Sequence, residues 1–386
     1  MFATFGCKVL KSGCFLHLRL IVRPRRTRPT TRFRTAVPAA CDARSVRTVS
    51  VAGKSDEAQR SNKIVLDYVH VPPKIDRVNE ANLPPIIFLH GLLASWRTYR
   101  SVLQRPDLAP DRSIYALDLR NHGSSPHSEE MSYDSMIGDL LAFMTTQNIS
   151  RACLMGHSMG GKLAMAAALA HPHVVSELIV MDAAPVVYKD HSWQMAEVSE
   201  DSPQAVVQAI AKLNPIPAHM RTRRDLEEAL RNLGIRSHDV RQFALTNLVR
   251  RGNVDQEMAW RVNISAIARN MAEIMGLPKW MQEASRQPTD TAGHSFTQKD
   301  AETKHAVVYR GPTLFIRGSR SAYVQDAHWP VIRRLFPNAS LVTIDGAGHW
   351  LQSEKPDEFT RIVNAFLNRS TTSVRASESP AHEPVY

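Results

Sequence analysis

Three residues of the right kinds could together move an acyl group: a serine on a glycine-framed turn, a histidine, and a carboxylate. The serine is Ser158, within Gly156-His157-Ser158-Met159-Gly160-Gly161-Lys162. An apolar run at 152–155 leads in and an alanine-rich helical run at 163–170 follows. That is the strand–turn–helix setting in which G-x-S-x-G presents a nucleophile. A side chain two positions to either side would collide with the neighbouring strand or helix, and Gly156 and Gly160 remove it. A glycine-rich structural turn is the plain alternative.

Serine attacks only when a base takes its proton. Asp345-Gly346-Ala347-Gly348-His349-Trp350 follows the last strand-like run, and its small residues let the backbone bring His349 towards Ser158. A carboxylate must then fix the imidazole tautomer and stabilise the imidazolium. The usual loop, after 313–318, reads Ser319-Arg320-Ser321-Ala322-Tyr323 and holds no acid. Asp182, 182 − 158 = 24 residues past the serine, ends the strand beside that of Ser158. Neighbouring strands are about 4.8 Å apart, so either loop can reach one histidine. Asp182 is the expected acid and Asp326, in a predicted helix, the runner-up. The tetrahedral oxyanion needs two backbone donors, expected at Met159 and at Leu92 after His90-Gly91.

The other reactive side chains read more plainly. His90 and His157 shape loops. His171 and His173 form an H-x-H pair better explained by helix-end solvation than by a metal. Cys153 is a buried strand residue. Cys7, Cys14 and Cys41 lie in the first fifty residues, so without that segment no internal disulfide can form. The pattern requires no metal and no cofactor.

Positioning these groups takes alternating strands and helices. Residues 64–71 read as an outer strand, 76–81 as a polar turn, and 85–89 as a short apolar run of the buried parallel type. A helix follows at 96–103, a strand at 113–119, and a helix capped by Ser132 runs to about 147. The strand before Ser158, its helix and a strand at 178–181 come next. Residues 186–281 then read as an all-helical cap, with helices at 203–212, 223–233, 237–250 and 264–275 and no strand between them. Polar 284–305 reads as a disordered loop. Strands return at 313–318 and 340–344, a helix closes at 356–368, and 370–386 is a polar tail. The whole is α/β, a doubly wound, mostly parallel sheet flanked by helices.

The chain has 386 residues, 43% apolar content and a net charge of +11. Residues 1–50 carry eleven Lys/Arg and one acid, Asp42, which leaves 37 bases against 36 acids elsewhere. The basicity therefore belongs to an Arg-rich, hydroxyl-rich start, the composition of an organelle transit peptide, expected mitochondrial, with a plastid peptide or an uncleaved disordered arm as alternatives and a secretory leader disfavoured. A nucleic-acid-binding arm is the rival, unsupported by aromatic or motif context. No apolar run is long enough for a transmembrane segment.

His90-Gly91-Leu92, Asp118-Leu119-Arg120-Asn121-His122-Gly123-Ser124-Ser125 with Pro126-His127-Ser128, Met131-Ser132-Tyr133, the Ser158 turn, Gly311-Pro312-Thr313-Leu314-Phe315 and Gly346 to Trp350 resemble the alpha/beta-hydrolase domain-containing protein 11 family. So do Leu245-Thr246-Asn247-Leu248 and Trp260-Arg261-Val262-Asn263 in the cap. The resemblance spans about 62–369. It implies the alpha/beta-hydrolase fold, with nucleophile, acid and base at Ser158, Asp182 and His349. Another acid proposed in that family falls on Ser265, which is no carboxylate. Ala94 stands where relatives often have glycine, and 284–305 is extra. The expected function is a serine esterase or thioesterase acting on a small acyl ester or thioester in the mitochondrial matrix. Alcohol O-acyltransfer by the same residues is the alternative. A non-catalytic hydrolase-fold binding protein is the reading of another class, against which the complete residue set counts. The resemblance also implies a link to the 2-oxoglutarate dehydrogenase complex.

Overall fold

The protein's structure, a computed structural model, describes residues 63–75, 83–188, 201–251, 257–286 and 307–378. Its main sheet is built from β1 (Tyr68–Val71), β2 (Ile86–Leu89), β3 (Ile114–Leu117), β4 (Ala152–His157), β5 (Val175–Met181), β8 (Thr313–Gly318) and β9 (Ala339–Ile344). The spatial order is β1-β3-β2-β4-β5-β8-β9. Only β1 is antiparallel to its neighbour; every other pairing is parallel.

Strands covered on both faces read as unbroken apolar runs, and all four residues of β2 and all six of β4 are buried. Their side chains alternate between two cores. Ile87, Leu89 and Leu154 pack with α2 (Tyr133–Thr146) and α3 (Met159–Ala170). Ile86, Phe88, Cys153 and Met155 pack with Val102 and Leu103 of α1 (Arg100–Leu103) and with Phe359 and Val363 of the closing helix. The winding direction reverses between β2 and β4, so their carboxyl ends flank a crevice, the place where open α/β sheets bind ligands. Leu92 and Ser158 both stand there.

Between β5 and β8 lies an insertion: α4 (Pro203–Lys212), α5 (Arg223–Asn232), α6 (His238–Ala244), β6 (Leu248–Arg251), β7 (Glu257–Trp260), α7 (Ile264–Arg269), α8 (Met271–Met275) and α9 (Lys279–Ser285). The expectation that it is wholly helical fails at β6 and β7, which pair antiparallel. Helix α6 stops early because Asn247 turns its side chain onto the nearby Ala244 carbonyl, which competes with helix continuation, and onto the distant Leu93 carbonyl. The helix expected at 264–275 breaks at Asn270 for a similar reason, its amide reaching the Glu129 and Ala266 carbonyls.

After β8 come α10 (Trp329–Leu335), α11 (Leu351–Glu354) and α12 (Pro356–Glu378). Helix α12 runs ten residues beyond its expected end at 368, since 369–378 contain no Gly or Pro to stop it. Ala284 and Ser285 likewise belong to α9 rather than to a polar loop. The expected turn at 76–81, the remaining loop at 287–305 and the first fifty residues lie outside the described residues.

Candidate active site

Ser158 joins β4 to α3 with φ 53° and ψ −116°, a conformation that costs a side-chain-bearing residue about 1–3 kcal/mol. The turn is this tight because a Cβ on Gly156 would lie 2.1 Å from the Gly160 carbonyl oxygen, and one on Gly160 2.2 Å from that of Leu89. The Ser158 amide is fixed by the Met181 carbonyl at 3.0 Å. Met159 opens α3, and its N–H is one of those a helix leaves without an internal acceptor.

His349 Nδ1 lies 2.6 Å from Asp182 Oδ2. The carboxylate is fully buried and the imidazole 21% exposed. Asp182 sits at φ 50°, a left-handed conformation that aspartate adopts more readily than most residues. Its backbone N–H donates to the Ile316 carbonyl at 2.8 Å. Ser321 Oγ donates to the same Oδ2, while Oδ1 has no partner among the described residues. With Nδ1–H directed at the carboxylate, the lone pair of His349 is on Nε2. Tyr323 stacks on the imidazole, ring centroids 3.9 Å apart and planes 16° from parallel. The Tyr188 hydroxyl accepts from Ala184 N–H and donates to the Tyr323 carbonyl, which holds that stack.

Ser158 and His349 line one cavity of about 1180 Å³, together with Leu92, Met159, Phe243 and Met275. Among the described residues no hydrogen bond joins Ser158 Oγ to His349, and such bonds often tighten only around substrate.

A second chain of bonds ties the site together from behind. Gly91 N–H donates to the Tyr99 oxygen at 3.3 Å, Tyr99 O–H lies 2.8 Å from His157 Nδ1, and His157 Nε2 lies 2.8 Å from the His349 carbonyl. Both ends are backbone groups, so the polarity is fixed: Nε2–H donates to the carbonyl, and Nδ1 accepts from tyrosine. Burial holds His157 neutral, well below its ordinary pKa. It likewise lowers His90 to about 4 and His122 to about 3. His90 Nδ1 donates to the Gly91 carbonyl and its Nε2 accepts from Leu119 N–H. His122 Nε2 accepts from Leu93 N–H. His90 and His157 shape loops, as the sequence suggests, and His122 does the same.

Lys162, one helical turn past Ser158, is 3% exposed. Its ammonium donates to the Met275 and Gly276 carbonyls at 2.7 and 2.9 Å and sits 4.2 Å from the Tyr188 ring centroid. Burial lowers its pKa to about 7.

The runner-up acid is not brought to the histidine: Asp326 pairs with Arg317 at 2.7 Å, its side chain 89% exposed. Ser265 bonds Asn214. His171 and His173 stack edgewise, their ring centroids 6.2 Å apart. Cys153 is buried and its thiol pKa pushed up. Ala94 is buried, its N–H on the Gly91 carbonyl. Sequence reasoning misses Ser321, Tyr99, Tyr323 and Asn247. The signal for Ser321 is a hydroxyl in the loop where an acid is usual; the other three make contacts that span the fold and leave no local pattern.

The alpha/beta hydrolase fold family matches residues 84–356. A mouse protein, sn-1-specific diacylglycerol lipase ABHD11, is 36% identical over 288 residues, 75% of this chain and 82% of its own length. A probable alcohol acetyltransferase of Saccharomyces cerevisiae is 32% identical over 294 residues, 74% of this chain and 78% of its own. Among solved structures, a marine microorganism esterase superposes with a TM-score of 0.62 at 32% identity, covering 79% of this chain and 100% of that one. The chain belongs to the alpha/beta hydrolase family and, within it, to the alpha/beta-hydrolase domain-containing protein 11 group.

Proposed function

We propose that the protein is a serine esterase or thioesterase working through an acyl-enzyme on Ser158. The observation that carries this reading is the contact of buried Asp182 with Nδ1 of His349, which lines the same cavity as the strained Ser158 turn. Ser158 Oγ attacks the ester carbonyl and its proton passes to His349 Nε2. Asp182 stabilises the imidazolium. The N–H groups of Leu92 and Met159 receive the oxyanion. Collapse expels the alcohol or thiol, which takes the proton from His349. Water, activated by the same histidine, then releases the acid and regenerates Ser158.

The apolar wall formed by Leu92, Met159, Val206, Phe243, Ile274 and Met275 suits an aliphatic acyl chain. The lipase relative supports a glycerolipid ester as substrate. An alcohol resolving the acyl-enzyme in place of water is a second reading, favoured by the acetyltransferase relative. Within this proposal residues 186–281 cap the site, 62–369 form the catalytic domain and 1–50 direct import to the mitochondrial matrix. Association with the 2-oxoglutarate dehydrogenase complex, implied by family resemblance, would be read by co-purification of that complex with the tagged protein.

The test is labelling by a fluorophosphonate probe and turnover of an ester chain-length series, each repeated on Ser158→Ala. Turnover should fall at least about 10⁴-fold in the variant, because such residues act as a unit. Labelling that persists and maps elsewhere overturns the assignment.

A further inference from the structure

The proposed reaction needs the Leu92 N–H, and the loop that carries it is held on both sides. Gly91 is fixed by Tyr99 and His90, and Leu93 N–H by His122. Those three partners belong to the sheet's own loops and helices. The fourth comes from the insertion between β5 and β8. The Leu93 carbonyl accepts from Asn247 Nδ2 at 2.7 Å across 154 residues of chain.

Leu93 sits at φ 58°, left-handed and unfavourable for a leucine, so surrounding contacts must hold it there. Asn247 is 3% exposed, and both groups its side chain meets, the Leu93 and Ala244 carbonyls, are acceptors. The amide nitrogen must therefore face them. Asn247 is itself pinned, its carbonyl accepting from Arg261 N–H at 2.7 Å. Leu92 lines the cavity, and among the described residues nothing accepts from its N–H. Losing the Asn247 donor frees Leu93 to leave its strained conformation, which turns the preceding peptide units and with them the Leu92 N–H.

We infer that Asn247 is a positioning residue: it makes the aim of the Leu92 N–H depend on the insertion being seated over the cavity. The oxyanion site is then complete only when both parts are in place, as in induced fit. This rests on the Ser158 acyl-enzyme reading.

The test compares wild type, Asn247→Asp and Asn247→Ala, with Ser158→Ala as reference. Active sites are counted by end-point fluorophosphonate labelling and folding is followed by melting temperature. Asp keeps the size but faces the Leu93 carbonyl with an acceptor, and Ala serves should the Asp variant not fold. Deleting an oxyanion donor costs about 10²–10³-fold in kcat, so displacing one should cost about 10–100-fold with KM within about threefold. Affinity for an alkyl boronic acid, which forms a tetrahedral adduct on serine, should fall by a similar factor. Affinity for the product carboxylate, which makes no such adduct, should stay. A merely structural asparagine would lower the melting temperature and leave kcat per active site and boronate affinity unchanged; that result in a folded variant overturns the inference alone. Turnover surviving in Ser158→Ala overturns the acyl-enzyme reading and this inference with it.

Discussion

Asp182 Oδ2 meets His349 Nδ1 at 2.6 Å although β8 runs between the strands that precede the two residues. The aspartate reaches past that strand because the loop after β8 offers Ser321, a short hydroxyl that joins the contact instead of blocking it. From this follows the first prediction. Asp182→Asn keeps the size but favours the wrong imidazole tautomer, and kcat should fall by about 10⁴-fold, as in a well-studied triad. Asp326→Asn removes an exposed partner of Arg317 and should leave kcat within about threefold. Kinetics and melting temperatures of both variants decide it: a folded, inactive Asp326→Asn beside a near-normal Asp182→Asn would sink the assignment.

Much of this arrangement is legible in the sequence, because its causes are local. Gly156 and Gly160 are there for a turn a few residues wide, and the apolar run at 86–89 follows from burial on both faces of one strand. Asp182 stands out by elimination, since its competitors' loop lacks an acid. The illegible parts depend on partners far apart in the chain. Nothing near residue 99 predicts that its hydroxyl bridges Gly91 and His157. Nothing near residue 247 predicts that an asparagine ends a helix to reach Leu93. The β6–β7 pair is missed in part because the helix expected at 237–250 covers the start of β6, which instead pairs antiparallel with β7.

Tyr99 provides the second prediction. Its hydroxyl is the only described link between Gly91 N–H and His157 Nδ1, and His157 in turn holds the His349 carbonyl. Tyr99→Phe strands two buried polar groups, each costing about 1–3 kcal/mol. The melting temperature should drop. The kcat, read well below it, should fall about tenfold, because the loops bearing Leu92 and His349 lose their common support. Unchanged kcat at an unchanged melting temperature would mean that the chain of bonds positions nothing.

A third prediction concerns the first fifty residues, whose eleven bases and single acid motivate an import signal. Fused to a fluorescent protein, residues 1–50 should carry it into mitochondria. Replacing Arg23, Arg25, Arg26 and Arg28 with glutamine should leave it cytosolic. A wild-type fusion that stays diffuse refutes the assignment.

Lys162 makes the protein's stability depend on pH. Two carbonyls and the Tyr188 ring favour the ammonium, but burial disfavours it more and lowers its pKa from 10.5 to about 7. Between those values the unfolded chain binds the proton and the native state largely does not. Stability must therefore rise with pH across that window, by up to about 1.4 kcal/mol per unit. Below pH 7 both states are protonated, so the cost of burying the charge is fully present and nearly constant. Lys162→Met removes the titration, and with it this part of the slope. Urea unfolding of both proteins at pH 6, 7.5 and 9 should find wild type gaining on the variant as pH rises. The opposite trend would mean that the carbonyls and the ring outweigh desolvation, and that the lysine stays charged where it lies against α8.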